Sequence, residues 1–279
     1  MTIFNTETLK TIRKVKANDP DFILYDPFSK RVFPMNEKIT VLDATTGEAA
    51  AELNLGGDPE SAVSDGKGTL YVNLADKGSV AVVDVQALKV TKTYPVDDCV
   101  SPYSMAFDAA SQRLFIGSRN STLAVVDALT GKVVAHQQTC SGVDAGAFDP
   151  DSKLVFISCS EGVISVIHEV SPDYYELIDT VKTQLWARTM AIDPVTKKID
   201  LQAPVYLGFD GGSGGKGDCQ PDSVKVRPVI ELEHFPDSAL IIDVAKCHVS
   251  DCIHLGNRCD GPNLRIRLPP VLRWPIPGS

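Results

Sequence analysis

The fold is decided by the stretch from Phe148 to Ser158, FDPDSKLVFIS, because its pattern is found four more times along the chain. In every copy an acidic residue opens a turn between two apolar segments, and it recurs at spacings of 39, 43, 41 and 44 residues. The acidic residues are Asp26, Asp65, Asp108, Asp149 and Asp193. A period of about 40 residues that carries several short strands is typical of a repeat architecture.

A second turn motif keeps the same register. Apolar segments end at Asp43, Asp84 and Asp127, at spacings of 41 and 43 residues, and His168 follows 41 residues later. Each unit therefore predicts four short antiparallel strands. An acidic turn joins the first strand to the second, a loop joins the second to the third, and the second turn motif joins the third to the fourth. Four such strands form the blade of a β-propeller. The sequence predicts an all-β propeller of four-stranded blades, of which about four to five are recognisable.

Three segments resemble the YVTN-type (YncE-like) β-propeller repeat family: Asp26–Phe33 (DPFSKRVF), Gly68–Asn73 (GTLYVN) and Val125–Val134 (VVDALTGKVV). The resemblance covers about residues 1–199. It implies a ring-shaped protein, mostly secreted or periplasmic, and many members of the family have no known activity. This chain departs from the family in having fewer blades and no signal peptide at its start.

The first residues of the chain resemble the end of a blade. Phe4–Lys10 aligns with Val83–Lys89 of a later unit. Two explanations stay open: an N-terminal strand completes the last blade, which removes exposed sheet edges, or the gene model starts late and blades are missing.

The fifth unit begins regularly at Arg188 and then departs from the pattern. Asp200 stands where the earlier units have a large aromatic residue, namely Phe33, Tyr71, Phe115 and Phe156. A charge is out of place at an apolar position. We therefore predict propeller repeats over residues 1–200 and an atypical, irregular tail over residues 201–279.

The tail differs in composition from the repeats. It is rich in Gly, Pro and Cys, and Gly211–Gly217 has the composition of a flexible linker. Strands are expected only at 224–232 and 238–244. One hypothesis is that the tail is translated out of frame or belongs to a badly joined gene model.

Composition restricts the class of protein. The net charge is −9 and the pI is near 5.0, which argues against a nucleic-acid partner. No apolar run approaches the roughly 20 residues of a membrane span. The start of the chain lacks the features of a signal peptide, so the chain as written is expected in the cytoplasm. The family resemblance implies a secreted or periplasmic protein if the N-terminus is truncated.

The seven cysteines predict no particular chemistry. Cys99, Cys140 and Cys159 lie within the repeats and are expected to be buried or idle thiols. In the tail, Cys247, His248, Cys252, His254 and Cys259 are zinc-ligand residue types, but their spacings match no paired arrangement, so incidental cysteines are expected.

The repeat register predicts one candidate site. Residues five positions before each acidic turn enter the first strand of a blade, and equivalent positions in different blades converge on the propeller axis. These residues are Asp21, Glu60, Tyr103, Asp144 and Arg188. Oxygens of Asp21, Glu60 and Asp144 are suited to a hard cation such as Ca²⁺, and the Arg is suited to orient an anion. The simpler interpretation is that all five are solvated loop residues.

Three hypotheses for the function remain at this point. The first is a non-catalytic scaffold that binds a protein or small-molecule ligand at its channel face. The second is a metal-dependent, lactonase-like hydrolase that uses the three carboxylates, which rests on fold analogy alone. The third is a truncated product without a function of its own. His168 and Glu169 are interpreted as a turn substitution, because one His without a positioned partner makes no catalytic site.

Overall fold

The computed structural model describes residues 1–5, 8, 10–15 and 20–204, and beyond these the strands at 225–226, 229–234 and 240–244. This part of the chain is almost entirely β-structure. Its helical content is a 3₁₀ turn at Ala75–Lys77. No helix of the described residues is long and apolar enough to cross a membrane.

A hairpin and four regular four-stranded antiparallel sheets follow one another along the chain. The hairpin consists of β1 (Thr2–Phe4) and β2 (Thr11–Lys14). The first sheet consists of β3 (Phe22–Asp26), β4 (Arg31–Met35), β5 (Ile39–Asp43) and β6 (Ala49–Leu53). The second consists of β7 (Pro59–Ser64), β8 (Thr69–Leu74), β9 (Ser79–Asp84) and β10 (Lys89–Pro95). The third consists of β11 (Pro102–Asp108), β12 (Arg113–Ser118), β13 (Thr122–Asp127) and β14 (Val133–Gln138). The fourth consists of β15 (Val143–Asp149), β16 (Leu154–Cys159), β17 (Val163–Ser171) and β18 (Tyr174–Lys182).

A fifth sheet follows with a less regular connection. It consists of β19 (Thr189–Ile192), β20 (Ile199–Pro204), β21 (Lys225–Val226), β22 (Val229–His234) and β23 (Leu240–Val244), with β21 and β22 both paired to β20. The prediction of four-stranded propeller blades is confirmed.

The acidic residue of each repeat closes the hairpin between the first two strands of its sheet. Asp26 accepts hydrogen bonds from the backbone N–H and the hydroxyl of Ser29, at 2.8 and 2.6 Å. Asp149 accepts one from the Ser152 hydroxyl at 2.6 Å. The next residue of the turn, such as Lys153 with a φ of 59°, adopts the left-handed conformation that reverses the chain. The repeated Asp is thus a turn residue whose carboxylate satisfies local donors.

The core lies between successive sheets. The ring of Phe107 on β11 packs against Tyr71 of the second sheet, with centroids 5.8 Å apart. The ring of Phe148 on β15 packs in the same way against Phe115 of the third sheet, at 5.0 Å. Each buried cluster joins one sheet to the next along the chain, so every blade is stabilised by its neighbours.

Lysines link neighbouring acidic turns across the last two of these interfaces. Lys197 Nζ lies 2.7 Å from Asp149 Oδ1 and 2.5 Å from Asp151 Oδ2, both in the preceding sheet. Lys153 occupies the same turn position one repeat earlier and lies 3.6 Å from Asp108. Burial acts to raise the pKa of Asp149, but the hydrogen bonds from Lys197 and Ser152 outweigh it and lower the pKa. The acidic turn therefore also fixes the position of the next sheet.

Strand β20 of the fifth sheet continues through Asp200. Ile199, Leu201 and Ala203 are buried against the fourth sheet, whereas Asp200 is exposed. In the part of the chain with described side chains, no sheet packs on the other face of β20, so a charge is tolerated there. The predicted boundary between residues 200 and 201 falls inside β20, and β22 and β23 overlap the two strands expected at 224–232 and 238–244.

The predicted linker at 211–217 and the cysteine and histidine cluster at 247–259 lie outside the described residues.

Two of the three cysteines of the repeats form a disulfide. Cys140 precedes β15 and Cys159 ends β16, and their Cα atoms are 5.9 Å apart. The expectation of idle thiols was wrong for this pair, because the pairing of β15 with β16 brings the start of one strand beside the end of the other. Cys99 is a buried free thiol, as predicted.

Replacing both disulfide cysteines by serine should lower the free energy of unfolding. The bond closes a loop with a sequence separation of 19, for which loop-closure entropy predicts about 3 kcal/mol. Urea unfolding of the wild-type chain with and without dithiothreitol should show the same loss. The doubly substituted chain is the matched control, since its midpoint should not respond to the reductant. Equal midpoints for oxidised and reduced wild type would contradict this prediction.

Candidate functional site

The five predicted site residues lie at one end of the sheets, where the first strand of each sheet begins. We call this the entry end. Glu60, Tyr103 and Asp144 are the second residues of β7, β11 and β15, while Asp21 and Arg188 directly precede β3 and β19. The first strands of successive sheets pack side by side. The register therefore brings equivalent residues of neighbouring sheets together, as the sequence predicted.

Glu60 and Tyr103 form the centre of this arrangement. The phenol of Tyr103 acts to lower the pKa of Glu60, and the charge of Glu60 acts to raise the pKa of Tyr103. Burial raises the pKa of Glu60, and the negative charges of Asp58 and Asp21 add to this effect. Tyr103 and the positive charge of Arg119 oppose this rise in pKa without cancelling it. Asp21, Asp58 and Glu60 thus form an acidic region with partial desolvation at its centre.

Asp144 forms a second centre with Arg188. The Asp144 side chain is 15% exposed, and its Oδ1 lies 3.5 Å from Arg188 Nε. The Thr189 hydroxyl lies 3.5 Å from Oδ2. Burial raises the pKa of Asp144, and the cations of Arg188 and Arg119 only partly offset this effect. The carboxylate is held in place by a neighbouring guanidinium but is poorly solvated.

Arg119 completes the site and was missed from the sequence. Its guanidinium carbon lies 3.5 Å from the centroid of the Tyr103 ring, a close cation–π contact. Its backbone N–H donates to the carbonyls of Val100 and Ser101. The register predicted only residues that enter first strands, whereas Arg119 directly follows β12, which runs antiparallel to β11 and so ends at the same place. That antiparallel return was the available signal.

The three predicted calcium ligands, Asp21, Glu60 and Asp144, belong to three different sheets. Among the described residues, no three His, Cys, Asp or Glu side chains are grouped closely enough to hold an ion. Tyr103 and Arg119 interact with both Glu60 and Asp144. The predicted ligands Asp21, Glu60 and Asp144 are therefore accompanied by the phenol of Tyr103 and the guanidinium of Arg119.

An exposed tryptophan lies at the same end, in the connection between β18 and β19. Trp186 is 47% exposed, and its ring centroid lies 5.9 Å from the Arg188 guanidinium carbon. Its φ is 66°, a conformation that bulky residues rarely adopt. The backbone N–H of Trp186 donates a hydrogen bond to the Ser160 carbonyl at 2.8 Å, which stabilises this backbone conformation. Leu185 beside it is 58% exposed. Residues held in sparsely populated backbone conformations cluster at functional sites.

Solved structures share this architecture. The hydrazine synthase of Kuenenia stuttgartiensis is similar with a TM-score of 0.61 and 19% identity, over 80% of this chain and 66% of that chain. The Cps50 (Swd1) β-propeller domain of Myceliophteria thermophila is similar with a TM-score of 0.60 and 12% identity, over 72% of this chain and 71% of that chain. The fold is that of a β-propeller. At these identities the likeness establishes the fold alone.

No family model and no curated protein matches the sequence. This chain spans slightly less than two thirds of the hydrazine synthase chain.

Replacing Arg188 by Ala should raise the pKa of Asp144 further. The guanidinium is the largest influence that opposes burial at this carboxyl, so its loss makes the ionised form less favourable. A carboxyl NMR titration, assigned with Asp144→Asn, measures the change. Arg188→Lys is the matched control, because it keeps a positive charge at that position. An unchanged titration midpoint in Arg188→Ala would show that the two side chains are uncoupled in solution.

Proposed function

We propose that this chain is a non-catalytic β-propeller scaffold of the YVTN type that binds a protein partner through its entry end. The observation that carries the proposal is Trp186, an exposed aromatic residue in a left-handed backbone conformation, beside Arg188. Trp, Tyr and Arg dominate the binding energy of protein interfaces. The entry end presents all three types, with Tyr103 and Arg119 both at the end of the third sheet.

The loop that carries Trp186 is built to hold one shape. A Cβ at Gly162 would lie 2.9 Å from the backbone nitrogen of Leu185, so the loop packs directly on the β16–β17 turn. The N–H of Ala187 donates to the Gln184 carbonyl at 2.9 Å, and Ala187 is fully buried. A side chain that is exposed but already ordered loses little conformational entropy when a partner covers it.

The charges of the entry end indicate the chemistry of the partner. Asp21, Asp58 and Glu60 repel one another, and repulsion contributes to the raised pKa of Glu60. Arg119 and Arg188 are already engaged by Tyr103 and Asp144. A basic side chain placed near Glu60 relieves the repulsion, while Leu185 and Trp186 offer apolar contact. The partner segment therefore combines Lys or Arg with large apolar residues.

A selection from a phage-displayed library of short peptides, with the full chain as bait, tests this function. Trp186 becomes the only tryptophan when Trp274 is replaced by Phe, so its fluorescence reports binding at the entry end. We expect selected peptides to combine basic and apolar residues. Trp186→Ala and Glu60→Gln should each weaken binding by about tenfold or more, the effect of losing a central contact. Binding to Trp186→Ala, which lacks the fluorescent residue, is measured by calorimetry, and binding to Glu60→Gln by fluorescence.

Leu129→Ala is the matched control, because Leu129 is an exposed apolar residue in the β13–β14 turn at the opposite end. Peptides that bind every variant with equal affinity would overturn the proposal. A calcium titration by calorimetry covers the lactonase-like alternative. A saturable heat of calcium binding that disappears when Asp21, Glu60 and Asp144 are all replaced by Ala would favour the metal-site hypothesis over the scaffold hypothesis.

We also propose that the protein works in an oxidising compartment, outside the cytoplasm. The disulfide between Cys140 and Cys159 supports this, because such bonds persist in secreted and periplasmic proteins and are rare in the cytosol. Alkylation of the protein from its natural source without reduction, followed by peptide mass spectrometry, tests the location. We expect Cys99 to be alkylated after denaturation and the other two residues to remain linked. Alkylation of Cys140 and Cys159 would place the protein in a reducing compartment.

A further inference from the structure

The loop that carries Trp186 rests on residues 158–162, the end of β16 and the turn after it, which we call the platform. The Ser158 hydroxyl of the platform donates a hydrogen bond to the carbonyl of Arg188. The backbone N–H of Trp186 donates to the carbonyl of Ser160 at 2.8 Å. The platform therefore holds the loop both at the tryptophan and at the arginine that follows it.

The disulfide lies within the platform. Cys159 directly precedes Ser160, and its bond to Cys140 ties the platform to the connection before β15. The N–H of Ser160 donates to the carbonyl of Gly142 at 2.9 Å, so a hydrogen bond runs beside the covalent bond. The carbonyl that holds Trp186 thus belongs to the residue next to the disulfide.

The preceding repeat makes the same backbone contact without the covalent bond. Cys99 and Ser118 stand 41 residues before the two disulfide cysteines, and Cys99 is a free thiol. The N–H of Arg119 nevertheless donates to the carbonyl of Ser101 at 3.2 Å. The connection that packs on this turn, residues 139–142, contains no aromatic residue. A blade therefore closes this turn without a disulfide, and the bond is found at the platform beneath the exposed tryptophan.

We propose that the Cys140–Cys159 disulfide positions Trp186, and that the entry end gains its affinity for a partner only when this bond has formed. This inference rests on the function proposed above for the entry end. A covalent cross-link removes open conformations of the segment that it closes, so an unlinked platform opens more readily. Opening frees the N–H of Trp186, and the left-handed backbone at that residue is unfavourable unless the surrounding structure holds it.

Formation of the bond is a two-electron oxidation. The two cysteine thiols pass two protons and two electrons to a disulfide oxidant, whose S–S bond breaks to give two thiols while the new S–S bond forms. Cys140 is 6% exposed and Cys159 is fully buried, so the folded chain gives an external thiolate little access to the bond. Oxidation thus acts in one direction, and the chain becomes competent to bind after it reaches an oxidising compartment.

The test compares the wild-type chain with Cys159→Ser, which recreates the unlinked pair that the third sheet has at Cys99 and Ser118. Both chains carry Trp274→Phe, so that Trp186 is the only tryptophan. In Cys159→Ser we expect faster amide exchange at Trp186 and stronger quenching of its fluorescence by acrylamide. The peptides selected from the phage-displayed library should bind this chain about tenfold or more weakly.

Two controls separate positioning from overall stability and from thiol chemistry. Leu70 is fully buried between the first and second sheets, so Leu70→Ala destabilises the fold at a site remote from the platform. We expect the exchange and quenching of Trp186 to be unchanged in that chain. Dithiothreitol, added during refolding, should give the wild type the behaviour of Cys159→Ser and should leave Cys159→Ser unchanged.

Equal amide exchange at Trp186 in folded chains with and without the bond would overturn the proposal. An equal change in Leu70→Ala would also overturn it, because the disulfide would then act through overall stability alone. If the library yields no peptide, the scaffold function fails, whereas exchange and quenching still decide whether the disulfide positions Trp186. Equal peptide affinity for both chains would overturn the dependence of binding on oxidation.

Discussion

The structure depends on apolar contact between the first strand of one sheet and the second strand of the preceding sheet. Phe148 against Phe115 is the clearest example. A four-stranded sheet has two faces, and a central blade can be stable only when both are covered. The alternation of side chains along the first strands follows from this requirement, and so does the change at β20, where one face is apolar and buried and the other carries Asp200.

The repeat chemistry explains how much of this fold the sequence predicts. The acidic turn and the second turn motif, at Asp43, Asp84 and Asp127, each combine a short carboxylate side chain with a left-handed residue four positions later, as in Asp149 with Lys153 and Asp127 with Gly131. Those local requirements leave a clear periodic pattern. The disulfide leaves none, because the spacing of Cys140 and Cys159 along the chain says nothing about strands that pair side by side. The role of Asp200 could not be predicted from local sequence either. Asp200 is tolerated because no further sheet of the described residues packs on its face of β20, and the sequence around it does not show this.

At the entry end, too, the repeat register predicts some of the residues and not others. Counting from the acidic turns predicted that Glu60, Tyr103 and Asp144 would meet, since equivalent residues of neighbouring sheets lie together. Arg119, which contacts Tyr103 and influences Glu60 and Asp144, and Trp186, which contacts Arg188, lie in connections between strands, where the repeat pattern does not specify the side chain. These two side chains add a cation and an exposed aromatic residue to the surface that the register predicted.

The lysine contacts between acidic turns bear on how such a chain can grow. Lys197 and Asp149 belong to different repeats, but each is an ordinary member of the same motif. Duplication of one whole period therefore creates a new interface from existing parts, with lysine, acid and paired rings all in register. Insertion of a fraction of a period separates the lysine from its carboxylate and turns the rings to the wrong face. The motif thus makes the whole repeat the unit by which a gene of this kind lengthens or shortens without loss of folding.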